Sequence, residues 1–156
     1  MPIVNFELYL SYSQLCIFSS SLDNPFNDWS DRSVSQGFAW RESSASFRSI
    51  NESGSCRVNM YVEEVVPDLD QDVCRAFRVP FFEPIGNVEI ASISDGKVIG
   101  VAPGNYILQV EFLKENNKLF EINVRLNKGV ANFEIIRADT GIVMDGEFEL
   151  NADPAI

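Results

Sequence analysis

Phe6, Leu8, Leu10 and Tyr12 alternate with Asn5, Glu7, Tyr9 and Ser11. A period of two sends successive side chains to opposite faces, so the pattern predicts a strand that buries those four residues. Gln14 to Ser19 is a second short strand, with Leu15 and Ile17 on one face and Cys16 and Phe18 on the other. Apolar residues on both faces predict a central or fully covered strand. Alternation returns at Val58, Met60 and Val62, and again at Val73, Arg75, Phe77 and Val79. That last strand is predicted to leave any central ladder at Pro80, which has no amide hydrogen to donate. Val88 to Ile93 and Lys97 to Val101 flank Asp95-Gly96, a hairpin signal. Tyr106, Leu108, Val110 and Phe112 give the clearest core strand; Gln109 and Glu111 mark its polar face.

Turns at Glu115-Asn116-Asn117 and Lys128-Gly129 separate that strand from Phe120 to Leu126 and from Ala131 to Ile135. The spacing predicts a three-strand antiparallel meander over residues 106–137. A further turn is expected at Asp145-Gly146, and a loose tail from Asn151 onward. The sum is roughly ten short strands with almost no helical periodicity, the pattern of an all-β antiparallel sandwich. No repeat or linker interrupts it, so residues 1–156 read as a single domain.

One stretch differs in kind. Pro25 to Trp40, PFNDWSDRSVSQGFAW, gathers aromatic and acidic residues around a helix-start signal. Asp28 or Ser30 can cap a short helical turn over residues 31–36, with Gly37 as its stop. Asp28, Trp29 and Asp31 place a large aromatic beside acids on a connection held by a sandwich, which is the make-up of an interface hot spot. The competing reading has Trp29 closing the core and Asp28 only capping the helix.

Charge narrows the classes of function. Twenty-three acids oppose 12 bases, for a net charge of −11. Such a field repels nucleic acid and anionic membrane and attracts basic proteins, although it also serves solubility alone. No histidine is present, which removes the commonest general base and metal ligand. The three cysteines lack metal spacing and read as buried free thiols, which favours a reducing compartment, with one disulfide and a leftover thiol as the alternative; the N-terminal residues lack a basic region and a cleavage site, so a cytoplasmic setting is expected. No apolar run is long enough to span a membrane.

Specific chemistry finds little support. Asp68, Asp70 and Asp72 alternate like the start of a calcium loop, but Val73 and Val79 stand where the loop needs Gly and Glu. They read as a solvated acidic loop that can add to a partner surface. Glu63 and Glu64 are adjacent on a strand, point apart and cannot flank one substrate. No serine lies in a nucleophile elbow. The expectation is no catalytic residue, no metal and no cofactor.

Several phrases in order resemble the competence protein J family: Ser11-Tyr12-Ser13-Gln14, Asp28-Trp29-Ser30-Asp31, Gln36-Gly37-Phe38-Ala39, Ala45-Ser46-Phe47, Val79-Pro80-Phe81, Val88-Glu89-Ile90 and Pro103-Gly104-Asn105-Tyr106. The resemblance implies a family-like core of about residues 8–113, with additional C-terminal strands over about 118–150. It implies a non-catalytic inhibitor of a DNA-uptake nuclease, binding a basic protein partner stoichiometrically, with no direct nucleic-acid contact. Asp28, Trp29, Asp31, Asp68, Asp70 and Asp72 are the candidate partner-binding residues. The alternative is a β-sandwich module for carbohydrate, or for calcium and membrane, with Trp29 and Trp40 as an aromatic platform.

Overall fold

The computed structural model describes residues 2–114 and 120–155. The described residues form two sheets and one short helix. The first sheet holds six strands, β1 (Val4–Leu10), β5 (Gly54–Val62), β10 (Phe120–Lys128), β9 (Gly104–Leu113), β6 (Val73–Glu83) and β11 (Glu134–Arg137), in that spatial order. The second holds β3 (Phe38–Arg41), β4 (Ser44–Arg48), β2 (Gln14–Ser19), β7 (Asn87–Ala91) and β8 (Gly96–Gly100). The helix α1 (Asp31–Gln36) precedes β3.

One apolar core lies between the sheets. The first contributes Leu8, Val58, Met60, Phe77, Leu108, Val110 and Val124; the second contributes Leu15, Ile17, Phe47 and Ile90. These are the alternate positions whose period predicted strands, so the sandwich is the expected one. β2 is central in its sheet, and Leu15 to Ser19 are buried on both faces. Phe18 and Cys16 face away from the main core into a smaller cluster, where Leu22 and Phe26 of the following connection cover them.

Four expectations need correction. Tyr12 does not continue β1: Tyr12 (φ 55°) and Ser13 (φ 57°) form a tight reversal, and Gln14 N–H donates to Ser11 O at 3.3 Å. Two positive φ values make this a primed turn, closed by an isolated bridge between Ser11 and Gln14; it carries the chain from one sheet to the other and turns Tyr12 out to 75% exposure. Second, β6 runs straight through Pro80, paired with Ile107 of β9. Pro80 lies beyond β11's reach, and its carbonyl accepts from the Trp40 indole at 2.7 Å. A residue's N and O point to the same side of a strand, so the missing hydrogen faces an indole instead of a ladder.

Third, no three-strand meander forms. β9 and β10 pair antiparallel, but β5 takes the other side of β10 in parallel, and β11 crosses to pair with β6. The expected turn at 115–117 lies outside the described residues. Fourth, the tail is tied down. Ala152 N–H donates to Trp40 O, Asp28 N–H to Asp153 O, and Ala155 N–H to Phe26 O, each at 2.8 Å.

The outer face of the six-stranded sheet is also more closed than alternation implies. Gln109, Glu111 and Arg125 are buried there. Register sets Glu134, Arg78, Gln109, Arg125 and Tyr61 side by side across five strands. Arg78 donates to Gln109 and Glu134, and Arg125 lies over the Tyr61 ring at 4.3 Å.

Candidate functional site

The stretch from Pro25 to Trp40 is built from the inside. Asn27 is buried beneath it, and its Nδ2 donates to Ala39 O at 2.9 Å and Ser44 O at 3.0 Å. This fixes the backbone just before Asp28. Ser30 is the helix cap: its Oγ accepts from Ser33 N–H, and Ser33 Oγ accepts from Ser30 N–H. That reciprocal pair satisfies two donors left bare at a helix start. Gly37 ends the helix in the left-handed conformation with φ 91°. A side chain there would sit 2.6 Å from Ile142 and 2.7 Å from Phe77, so only glycine fits.

Asp28 and Asp31 both point to solvent, and neither forms an ion pair among the described residues. Trp29 is half-buried and lies outside both apolar clusters. Its indole N–H donates to Gln14 Oε1 at 3.3 Å. The ring lines an open notch of about 380 Å³ together with Tyr12, Ser13, Val34 and Arg48. Arg48 donates to Val34 O at 2.6 Å and also to Gly141 O, fixing the notch wall. The result is a fixed aromatic wall with exposed Tyr12 at its lip and carboxylates on the adjoining chain. This arrangement can seat a side chain of a protein partner; it holds no group poised for covalent chemistry.

The C-terminal segment braces the same stretch. Arg32 pairs with Asp145 and donates to Glu147 O. Ser30 Oγ donates to Glu149 at 2.8 Å, and Gln36 bonds the Glu149 backbone in both directions. The Arg32 guanidinium holds the Asp145 carboxyl below the usual range. Asp145, Glu147, Glu149 and Asp153 thereby join Asp28 and Asp31 along this edge.

Asp68, Asp70 and Asp72 are exposed on the connection before β6. Asp70 Oδ1 accepts from Asp72 N–H at 2.8 Å, and Arg137 donates to Asp70 O at 3.0 Å. No hydrogen bond or ion pair among the described residues joins this loop directly to the notch. The link runs through the scaffold: Arg75 of β6 donates to Arg48 O at 2.8 Å. Trp40 is no companion of Trp29. It packs edge-on against Phe133 with ring centroids 4.8 Å apart. Among the described residues, no three acids or thiols converge in a metal-binding arrangement.

Sequence reasoning missed Tyr12 and Val34. The signal for Tyr12 was the two-residue gap between apolar strands, without the glycine or asparagine that normally marks a primed turn. For Val34 it was an apolar residue isolated in a polar helical turn.

Comparison with known proteins is consistent with this architecture. No curated protein matches the chain. The structure is similar to that of ComJ from Bacillus subtilis, described as an inhibitor of the DNA-degrading activity of NucA, with a TM-score of 0.73 and 17% identity. That match covers 83% of this chain and 98% of ComJ. A second similar structure is crocagin biosynthetic gene J, with a TM-score of 0.54 and 15% identity over 78% of this chain and 94% of the other. These likenesses carry the fold. The family model of competence protein J matches residues 7–131, most of the chain, and so this protein belongs to the competence protein J family.

Proposed function

We propose that the protein is a non-catalytic inhibitor of a DNA-degrading nuclease, acting by stoichiometric occlusion of a basic cleft. Family membership over residues 7–131 is the observation that carries this reading. ComJ of the same fold is an inhibitor of a nuclease's DNA-degrading activity. The net charge of −11 gives long-range attraction to a surface that binds DNA, and it disfavours binding of DNA by the inhibitor itself. Trp29 and Tyr12 supply the apolar anchor, Asp28 and Asp31 the local charge, and Asp68, Asp70 and Asp72 a second acidic contact. The chain acts as one domain in the cytoplasm, with residues 132–155 as the brace of its contact surface.

The test is a titration of a DNA-degrading uptake nuclease from the same genome. Inhibition is expected to saturate at a fixed molar ratio and to weaken as salt rises. Trp29→Ala is expected to weaken inhibition about a hundredfold, the range of an interface anchor. Asp28→Lys with Asp31→Lys is expected to weaken it and flatten its salt dependence. Unchanged inhibition by both folded variants would move the contact surface elsewhere; no inhibition by the native protein would overturn the function.

A further inference from the structure

The notch beside Trp29 is apolar at its walls and charged at its borders. The Trp29 ring, the exposed Val34 side chain and the Tyr12 ring at the lip supply the apolar surface. The strong donors in the wall are already engaged. The indole N–H is held by Gln14, and Arg48 directs Nη1 to Val34 O and Nη2 to Gly141 O. Arg48 forms no ion pair among the described residues, and neighbouring Asp139 is taken by Arg75 through both oxygens. Burial and the Arg75 guanidinium push the Arg48 value down, so this wall already carries a cation in an unfavourable setting. A lysine or arginine head entering the notch would set a second cation against it, a repulsive element that discriminates between side chains.

The two acids flanking Trp29 are not equivalent. Asp31 and Val34 are three residues apart on α1, so they share a face of the helix, with Cβ atoms about 5–6 Å apart. Asp31 is exposed, unpaired among the described residues, and borders the Val34 wall. Asn27, Asp28 and Trp29 alternate buried, exposed and half-buried, which sends Asp28 to the side away from Trp29. We infer that the notch takes one neutral apolar side chain, aromatic or long aliphatic, from a protein partner in which the next residue is lysine or arginine and pairs with Asp31. The apolar group lies between Trp29 and Val34, and the cation stays at the rim. Asp31 is the specificity-determining acid, whereas Asp28 adds only to the long-range field. The inference rests on the reading of this notch as a partner contact and adds which pair of partner residues meets it.

The experiment is a nuclear magnetic resonance titration of the whole protein, without any nuclease, using the capped dipeptides Phe-Lys, Phe-Gln, Phe-Glu and Ala-Lys. Saturable shifts are expected at the Trp29 indole N–H and the Val34 amide with the phenylalanine peptides, and none with Ala-Lys. Phe-Lys is expected to bind about two- to threefold more tightly than Phe-Gln, the range of an exposed ion pair, and Phe-Glu more weakly than Phe-Gln. Asp31→Asn is expected to abolish the lysine preference and leave Phe-Gln binding unchanged; Asp28→Asn is expected to leave the preference intact. Val34→Ser keeps the fold, because the side chain is exposed, and is expected to weaken the phenylalanine peptides about fourfold. Ala-Lys binding as tightly as Phe-Lys, a lysine preference that survives Asp31→Asn or is lost with Asp28→Asn, a silent Val34→Ser, or no saturable shift with any peptide would each overturn the inference. These readouts stand apart from inhibition. If the peptide pattern holds and no nuclease is inhibited, the inhibitor reading fails alone; if a nuclease is inhibited and the peptide pattern fails, the inferred occupant is wrong and the inhibitor reading stands.

Discussion

Gly37 shows how one residue ties the candidate surface to the core. Its φ of 91° is strained for any side chain, and Ile142 and Phe77 fill the space a Cβ would need. Gly37→Ala is expected to destabilise the fold by about 2–3 kcal/mol, the sum of a left-handed penalty and mild overpacking, measured by urea unfolding. This glycine was legible in the sequence as a helix stop; the second reason for it, the approach of Ile142 from far along the chain, was not. Tyr12 marks the opposite limit. Nothing in its identity announces a positive φ, because Tyr in a primed turn is tolerated only where the flanking strands impose the reversal. The thiols follow burial more simply. Burial pushes the Cys16 and Cys56 thiols up to about 12, so neither offers thiolate in the native state. An aromatic disulfide reagent is expected to modify the partly exposed Cys74 first and the other two only on unfolding. Three thiols of equal rate would contradict the packing.

At the scale of elements, alternation located the strands well and their neighbours poorly. The apolar period of β9, β10 and β11 shows in each segment, but the choice of partner depends on the two sides of β10 being filled by β9 and β5. Periodicity says which face is buried and nothing about which edge is taken. The same limit explains the tail: residues 151–155 carry no strand pattern, and they are held by backbone bonds to Phe26, Asp28 and Trp40. Asp145 anchors the preceding part of that segment to α1 through Arg32. Because its folded pKa is depressed, its contribution is present above the ordinary Asp value and is lost as pH falls through the folded value. The melting temperatures of the native protein and Asp145→Asn should therefore differ most at neutral pH and converge in acid. A difference that persists unchanged in acid would rule out the ion pair as the source.

At the scale of the whole molecule, the acidic surface and the sandwich are separable properties. Composition revealed the charge, but only the fold shows that α1 and the C-terminal segment set Asp28, Asp31, Asp145 and Glu149 along one edge. The sandwich itself imposes an order of assembly. β5 ends at Val62, whereas its parallel partner β10 begins at Phe120. A ribosome therefore releases the antiparallel β1–β5 pair long before the strand that covers its open side. Throughout that interval the β10-facing backbone of Arg57, Asn59 and Tyr61 is an unpaired template for other chains. A fragment ending at residue 119 is expected to sediment as aggregate, and co-expression of residues 120–156 is expected to return it to solution. A soluble, monomeric fragment would show that the edge is protected in another way. Vectorial synthesis thus turns a single parallel pairing into the step at which the newborn chain most needs a chaperone.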